Sequence, residues 1–159
     1  MGLDMYLSGK KFLWTGERQK VDVSKLMPLG FKHEPKEIRF EIMYWRKANA
    51  IHKWFVDNVQ DGEDDCKTYP VSVEKLSGLR ETIKEVLTDM ARVVHRLNRK
   101  IVPAKAKSVL PTTSGFFFGG EEYDEFYWKG LEDTLKMLNQ ILDNPEMYKD
   151  IEFDYHSSW

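Results

Sequence analysis

Residues Glu37–Asn58 read EIRFEIMYWRKANAIHKWFVDN, and the spacing of the apolar residues changes within this stretch. Apolar and charged residues alternate in its first half, which predicts a half-buried strand over Glu37–Trp45. The apolar residues of this alternation are Ile38, Phe40 and Ile42. The second half changes to helical spacing, which predicts a helix over Lys47–Gln60. Its apolar face consists of Ile51, Phe55 and Val59.

The same two periods recur along the rest of the chain. Short alternating stretches predict a first strand, a brief strand near Tyr69 and a closing strand, while Thr15–Lys36 is rich in Gly and Pro and predicts an irregular connection. Long helical stretches predict one helix that starts after Ser72 and ends before Pro103, and a last helix that ends at Asp143-Asn144-Pro145. The predicted strands and helices are Leu3–Leu13, Ile151–His156, Val73–Leu97 and Glu122–Leu142.

Strands and helices in this order do not alternate as a parallel βαβ fold requires. We therefore expect the α+β class, with a small, mainly antiparallel sheet of three or four strands covered by about three helices. The length of 159 residues predicts a single domain, 1–159.

Composition excludes several functional classes. The net charge of -2 makes a nucleic-acid partner unlikely, because bulk positive charge is what holds such partners. Cys66 is the only cysteine, so no intrachain disulfide can form, and no apolar run is long enough to span a bilayer. These features and the lack of a secretory signal predict a cytoplasmic protein without a membrane partner.

The first candidate site segment is Tyr44–Asn58, at the predicted strand-to-helix transition. Unpaired N–H groups at a helix start attract anions, and Arg46 and Lys47 add positive charge there. We expect these two cations to bind phosphate, Asn49 and His52 to hydrogen-bond sugar or phosphate, and Tyr44 to stack on a flat ring. The alternative is that the rings of this segment form part of the core and that His52 is a packed, hydrogen-bonded side chain.

The second candidate segment is Pro111–Phe126, which contains three consecutive phenylalanines. Neighbouring side chains on extended backbone point to opposite faces, so at least one, such as Phe117, must contact a ligand, a partner or another element. We expect Phe117 to stack on a ligand, and Ser114, Tyr123 and Asp124 to bind hydroxyls or an amine. The alternative is an aromatic plug that closes the core.

No sequence pattern points to a metal or a cofactor, and we expect neither. The four histidines are scattered without a zinc motif, and the acidic turn near Cys66 lacks the spacing of a calcium loop. The chain also lacks the glycine-rich patterns of P-loops and of dinucleotide-binding folds.

Three blocks resemble a widespread family of small phage and prophage proteins. They are MGLDMY at 1–6, YWRKANAIHKWFV at 44–56 and PTTSGFFFGGEEYDE at 111–125. The resemblance covers most of the chain and implies a phage accessory protein that acts in the cytoplasm of a bacterial host. It implies no particular activity and no catalytic residues.

We expect a non-enzymatic protein that binds an anionic, nucleotide-like small molecule between the two segments and, in a phage context, sequesters a host immune signal. One alternative is a hydrolase that acts on such a ligand, with His52 as acid or base and Asp124 orienting it. Another is an inhibitor that binds a host defence protein. A homo-oligomer is also compatible with the sequence.

Overall fold

The chain folds into strands, which form one sheet, and helices. The computed structural model describes residues 2–18, 20–22, 34–89 and 103–159. Among these residues the strands are β1 (Asp4–Phe12), β2 (Glu37–Arg46), β3 (Thr68–Val71) and β4 (Glu152–Ser158). The helices are α1 (Thr15–Arg18), α2 (Asn49–Asn58), α3 (Val73–Thr88), α4 (Ala104–Val109), α5 (Glu125–Leu142) and α6 (Pro145–Tyr148).

The sheet has the strand order β2-β1-β4-β3, and every pair is antiparallel. Met5 and Leu7 of β1 are fully buried, whereas Tyr6 between them is only half-buried. The same alternation in β4 buries Phe153 and Tyr155. One face of the sheet therefore forms the floor of the core, as expected for strands of period two. The α+β class and the antiparallel sheet are confirmed.

Helices α2, α3 and α5 supply the opposing layer. The ring of Phe55 in α2 stacks on that of Tyr155 in β4, with ring centroids 3.9 Å apart. The indole N–H of Trp45 in β2 donates to the hydroxyl of Thr134 in α5 over 2.7 Å, in a buried position. Burying an aromatic side chain of this size stabilises the fold by about 1.5–3 kcal/mol. These contacts attach the end of β2 and the helix α2 to the core.

The prediction of a half-buried β2 is correct for only part of the strand. Trp45 is buried, but Ile38 and Phe40 are 36% and 37% exposed. The reason is position: β2 is an edge strand of the described sheet, and its first five residues are all exposed. An alternating pattern indicates a strand with one apolar and one polar face. It does not indicate which part of the apolar face the helices cover.

The long predicted helix ends earlier than its apolar pattern. Ser72 caps α3 as predicted, by accepting the Lys75 N–H over 3.3 Å. The helix ends at Thr88, whose hydroxyl donates to carbonyls of the preceding turn, and Asp89 is extended. Serine, threonine and aspartate compete in this way with helical hydrogen bonds. The remaining apolar positions, Met90, Val94 and Leu97, lie outside the described residues.

The last helix begins at Glu125, three residues later than predicted. The carboxylate of Asp124 accepts the Tyr127 N–H over 3.0 Å and caps the helix. In the part of the chain that the structure describes, no helix has the length and apolar character needed to cross a membrane.

Candidate functional site

The two candidate segments meet at one cavity. It has a volume of about 520 Å³ and lies between the β2–α2 junction on one side and the loop before α5, with the first turns of α5, on the other. From the first segment it is lined by Met43–Ile51, and from the second by Thr112, Gly119, Gly120, Glu122, Asp124, Phe126, Tyr127, Gly130, Leu131 and Asp133. The predicted convergence of two stretches distant in the sequence is present in the fold.

Asn49 joins the two walls of the cavity. Its buried side-chain amide donates to the carbonyls of Phe118 (3.3 Å) and Gly120 (2.8 Å), and its carbonyl oxygen accepts the Thr113 N–H (3.2 Å). Both amide hydrogens are thus committed to the loop. We expected Asn49 to bond a ligand; its hydrogen bonds instead hold the loop against the start of α2.

The backbone of Leu3 makes a second connection between the walls. Its N–H donates to the Phe117 carbonyl over 3.2 Å, and its carbonyl accepts the Lys47 N–H over 2.8 Å. Lys47 itself is in the left-handed region, with φ 57°, and so is Gly119, with φ 93°. A Cβ at Gly119 would lie 3.1 Å from the Cβ of Lys47, so glycine permits the close approach of the loop to the lysine stem.

The cavity is polarised, because acidic side chains line it together with the cations Arg46 and Lys47 that we expected to bind phosphate. Arg46 and Lys47 line one side, and neither forms an ion pair within the described residues. Three acidic residues line the other side: Glu122, Asp124 and Asp133. Two of these carboxylates already have partners, since Asp124 caps α5 and Asp133 lies 3.0 Å from Lys129.

The start of α2 also lines the cavity. Ala48 stands at the N-cap position, where it offers no side-chain hydrogen bond, and the first turn contains no acidic residue. The first N–H groups of a helix lack partners within the helix and carry partial positive charge. This helix end therefore adds to the positive potential of Arg46 and Lys47.

The predicted site residues divide into two groups. Tyr44, Arg46, Lys47, Asn49 and Asp124 line the cavity, whereas His52, Ser114, Phe117 and Tyr123 do not. The Tyr44 ring packs against Tyr6 with centroids 5.3 Å apart, and its hydroxyl donates to Asp4. Since Tyr44 pairs with Tyr6 across the strands, its ring lies on the same face of the sheet as the Tyr6 ring, where it already has a ring partner.

His52 is a packed, hydrogen-bonded side chain, which was our alternative interpretation. It is 1% exposed; its Nε2 lies 3.0 Å from Asp64, and its Nδ1 lies 2.8 Å from the Tyr155 hydroxyl. A carboxylate only accepts, so His52 donates from Nε2 to Asp64, while its Nδ1 shares a second hydrogen bond with the Tyr155 hydroxyl. The second oxygen of Asp64 accepts the indole N–H of Trp159 over 3.0 Å. Asp124 makes no contact in this network, so the expected His52–Asp124 pair is absent from it.

Asp64→Asn is expected to lower the free energy of unfolding by about 1–2 kcal/mol, because one of its two N–H donors loses a hydrogen bond to a charged acceptor. Asp64 accepts from two donors, His52 and Trp159, whereas an asparagine offers only one side-chain oxygen. Urea unfolding of D64N measures the loss, with D61N on the exposed neighbouring turn as the control. Equal stability of the two variants would contradict this account of the network.

The three phenylalanines take three different environments, as their adjacency predicts. Phe118 is 7% exposed, Phe117 is 40% exposed and Phe116 is 77% exposed. Phe118 enters the core across Gly115, where an added Cβ would lie 2.4 Å from its ring. Phe117 has a φ of 68° and packs edge-on against Phe116, with centroids 4.2 Å apart. The plug interpretation therefore applies to Phe118 alone.

Ser114 and Tyr123 lie beside the cavity rather than in it. Ser114 is exposed on the loop. The Tyr123 hydroxyl accepts the Thr112 N–H at 3.4 Å, and its ring packs edge-on against Tyr127.

Several lining residues were not identified from the sequence. Phe126, Gly130 and Asp133 follow one another at helical spacing from the start of α5. That spacing after the capping residue Asp124 would have indicated a shared face. Tyr127 also lines the cavity, and it donates its hydroxyl to the Leu110 carbonyl over 2.8 Å.

Two buried tyrosines make the fold sensitive to alkali. Burial raises the pKa of Tyr127 and, with a further contribution from Asp64, that of Tyr155 far above the ordinary value of 10. Above that ordinary value the unfolded chain releases two protons that the folded chain keeps, so stability present at neutral pH is lost as the pH rises. Each group contributes a slope of about -1.4 kcal/mol per pH unit.

We therefore expect cooperative unfolding of the protein at high pH, with Tyr127 and Tyr155 ionising only as the fold is lost. Tyrosinate absorbance and circular dichroism recorded together measure this. Tyr127→Phe should make the dependence shallower by about one group's slope. Full ionisation of all seven tyrosines in the folded protein would contradict the prediction.

No group of three or more His, Cys, Asp or Glu side chains among the described residues is arranged to hold a metal ion. Comparison of the chain with protein-family models, with curated proteins and with solved structures finds no significant match.

Proposed function

We propose that the protein binds an anionic, nucleotide-like small molecule in the cavity between the β2–α2 junction and the start of α5, without chemical turnover. One observation carries the proposal: Arg46 and Lys47, which have no ion pair in the described chain, line a 520 Å³ cavity beside the uncapped start of α2. Cavities of about 300–1,000 Å³ suit small molecules and cofactors.

The cationic side of the cavity suits a phosphate group. Guanidinium and ammonium groups form charge-assisted hydrogen bonds with phosphate oxygens, and free N–H groups at a helix start favour the same charge. Neither Arg46 nor Lys47 has to give up a described ion pair to bind an anion. Binding an anion therefore breaks no ion pair of these two side chains within the described residues.

The acidic side suits the uncharged or amine-bearing part of such a ligand. Glu122 and Asp133 can accept hydrogen bonds from hydroxyls or an amine, and they would repel a phosphate. The exposed Phe126 ring at the same wall offers a flat apolar face. This polarity orients a molecule that carries phosphate at one end and sugar or base at the other.

The resemblance to phage and prophage proteins supplies a context for binding without turnover. A phage accessory protein that retains a nucleotide-derived immune signal of its host would lower the free concentration of that signal. This role requires tight binding and at least as many protein molecules as signal molecules, but no catalytic group.

The hydrolase alternative is less well supported by the geometry. His52 lies outside the cavity with both ring nitrogens hydrogen-bonded, and Asp124 is the cap of α5. A general acid or base must come within hydrogen-bond reach of the substrate. Neither residue is free to take its expected role.

A protein-binding function is the second candidate, and exposed aromatic side chains favour it. Phe116 is 77% exposed and Phe126 is 84% exposed, which is unusual for phenylalanine. Aromatic side chains are enriched at protein interfaces. A host protein that co-purifies in the absence of any small molecule would favour this candidate over the first.

Small molecules released by denaturing the purified protein test the first candidate directly. We expect mass spectrometry to detect a phosphate-bearing nucleotide at a near-stoichiometric amount. Melting with a panel of nucleoside phosphates and cyclic dinucleotides extends the test, since 100-fold excess over the dissociation constant adds about 2.7 kcal/mol of stability. No released nucleotide and no shift across the panel would count against the proposal.

A further inference from the structure

The outer edge of β2 is a second candidate interaction surface, distinct from the cavity. Within the described residues β2 pairs with β1 alone, so the backbone groups along its other edge have no strand partner. Exposed edge strands are templates for pairing with another chain. At ten residues β2 is the longest strand in the described sheet, and it exposes Ile38 and Phe40 by more than a third.

The edge is only partly protected against pairing. It contains no proline and no lysine, residues that commonly block edge strands. A β-bulge does occur, because the register with β1 shifts between Leu7 and Ser8 and leaves Ile42 as the extra residue. The bulge ends the regular part of the edge, which therefore extends from Glu37 to Glu41.

The sequence of this edge is complementary to itself. In an antiparallel pair with a two-fold axis at Phe40, each residue faces the one at equal distance on the other side of the axis. Phe40 then faces Phe40 of the second copy, while Ile38 lies level with the bulge residue Ile42, at the end of the regular part of the edge. Arg39 faces Glu41 in both directions, which forms two pairs of opposite charge.

The charges on the edge are available for this pairing. Glu41 is exposed and forms no ion pair in the described part of the chain. Arg39 is half-exposed, and its guanidinium lies at 3.7 Å from Glu37 and 3.9 Å from Asp154, at the limit of ion-pair distance. Shifting the axis by one residue to Arg39 would place Glu37 opposite Glu41 and Arg39 opposite itself, so charge favours the register centred on Phe40 over that one.

We propose that the chain forms a symmetric dimer through antiparallel pairing of β2 with β2 of a second copy, centred on Phe40. The dimer continues the sheet across the interface and covers the exposed apolar side chains of Ile38 and Phe40. The occupant is a second copy, because an identical edge supplies both the matching apolar residue at Phe40 and the exchanged charges of Arg39 and Glu41. The proposal is independent of the ligand that binds in the cavity.

Charge variants test the dimer through a mixing experiment. E41R places arginines opposite each other in both pairs, and R39E places glutamates opposite each other. Each variant alone is expected to associate at least about tenfold more weakly than the wild-type chain, since like charges directly opposite are destabilising. Sedimentation equilibrium at a series of concentrations measures the association.

Mixing the two variants restores opposite charges at both pairs, so E41R with R39E is expected to form a heterodimer of near wild-type affinity. The double variant R39E/E41R, which exchanges the charges, is expected to dimerise by itself. Circular dichroism of each variant checks that the monomer remains folded. These recoveries would not occur if the substitutions acted only by disturbing the fold.

A wild-type chain that remains monomeric at about 1 mM, a concentration high enough to populate weak complexes, would overturn the proposal. A dimer with the same affinity in E41R would also overturn it, because the interface would then lie elsewhere. Slower hydrogen exchange of β2 amides at high protein concentration supports it.

Discussion

Neutralising both cations of the cavity, in the variant R46Q/K47Q, is expected to weaken nucleotide binding by about 100-fold or more. A hydrogen bond to a charged group contributes about 1.5–3 kcal/mol, and two lost together exceed the 2.7 kcal/mol that corresponds to 100-fold. Glutamine keeps the polar character and part of the stem of each side chain. Calorimetric titration with the nucleotide that gives the largest melting shift measures the loss.

Lys53→Gln is the matched control for this variant. Lys53 lies in α2, only a few residues after these cations in the sequence, but it pairs with Asp57 over 2.8 Å and does not line the cavity. The wild-type chain and K53Q should therefore bind the nucleotide alike. If R46Q/K47Q binds as tightly as K53Q while remaining folded, the phosphate does not lie between Arg46 and Lys47 and the proposed site is wrong.

Asn49→Asp is expected to lower the free energy of unfolding by about 3–5 kcal/mol, although the two side chains have nearly the same shape. The amide nitrogen of Asn49 donates to two carbonyls of the loop, and a carboxylate in its place would face both oxygens without a hydrogen to donate. Each unsatisfied buried group costs about 1–3 kcal/mol, and the buried charge adds to this. Chemical denaturation followed by circular dichroism measures the change.

The pH dependence of N49D adds a specific signature. A protonated carboxyl can donate one hydrogen bond, so part of the loss should be recovered as the pH falls toward the ordinary aspartate pKa of about 3.9. Asn144→Asp is the control, since the exposed Asn144 amide donates to only one carbonyl, that of Gln140. Equal losses in N49D and N144D would show that Asn49 does not hold the cavity walls together.

Much of the backbone could be predicted from the sequence because local patterns determine it. The alternation after Glu37 and the helical spacing after Lys47 correctly indicated β2 and α2, and Ser72 correctly indicated the start of α3. Hydrophobic period and capping depend on neighbours within a few residues. The errors occurred at ends, as for α3, which ends at Thr88 although the apolar period of the sequence continues.

The roles of the candidate site residues were harder to predict, because they depend on partners distant in the chain. His52 bonds to Tyr155, which is 103 residues away, and Asn49 bonds to a loop about 70 residues away. A sequence pattern indicates that such a side chain can donate and accept, but not to which atoms. Tyr44 shows the same limit, since its ring packs against that of Tyr6 in the neighbouring strand.

By itself the sequence determined that the chain forms strands and helices in a given order, and that the cations Arg46 and Lys47 stand where a strand passes into a helix. Both are local properties, encoded by side chains a few residues apart. Only the tertiary structure decided that Thr112 and the start of α5 lie opposite these cations, that acidic side chains share the cavity, and that His52 is buried outside it. Those outcomes depend on long-range packing of the sheet against α2 and α5, which brings together atoms that no local pattern relates.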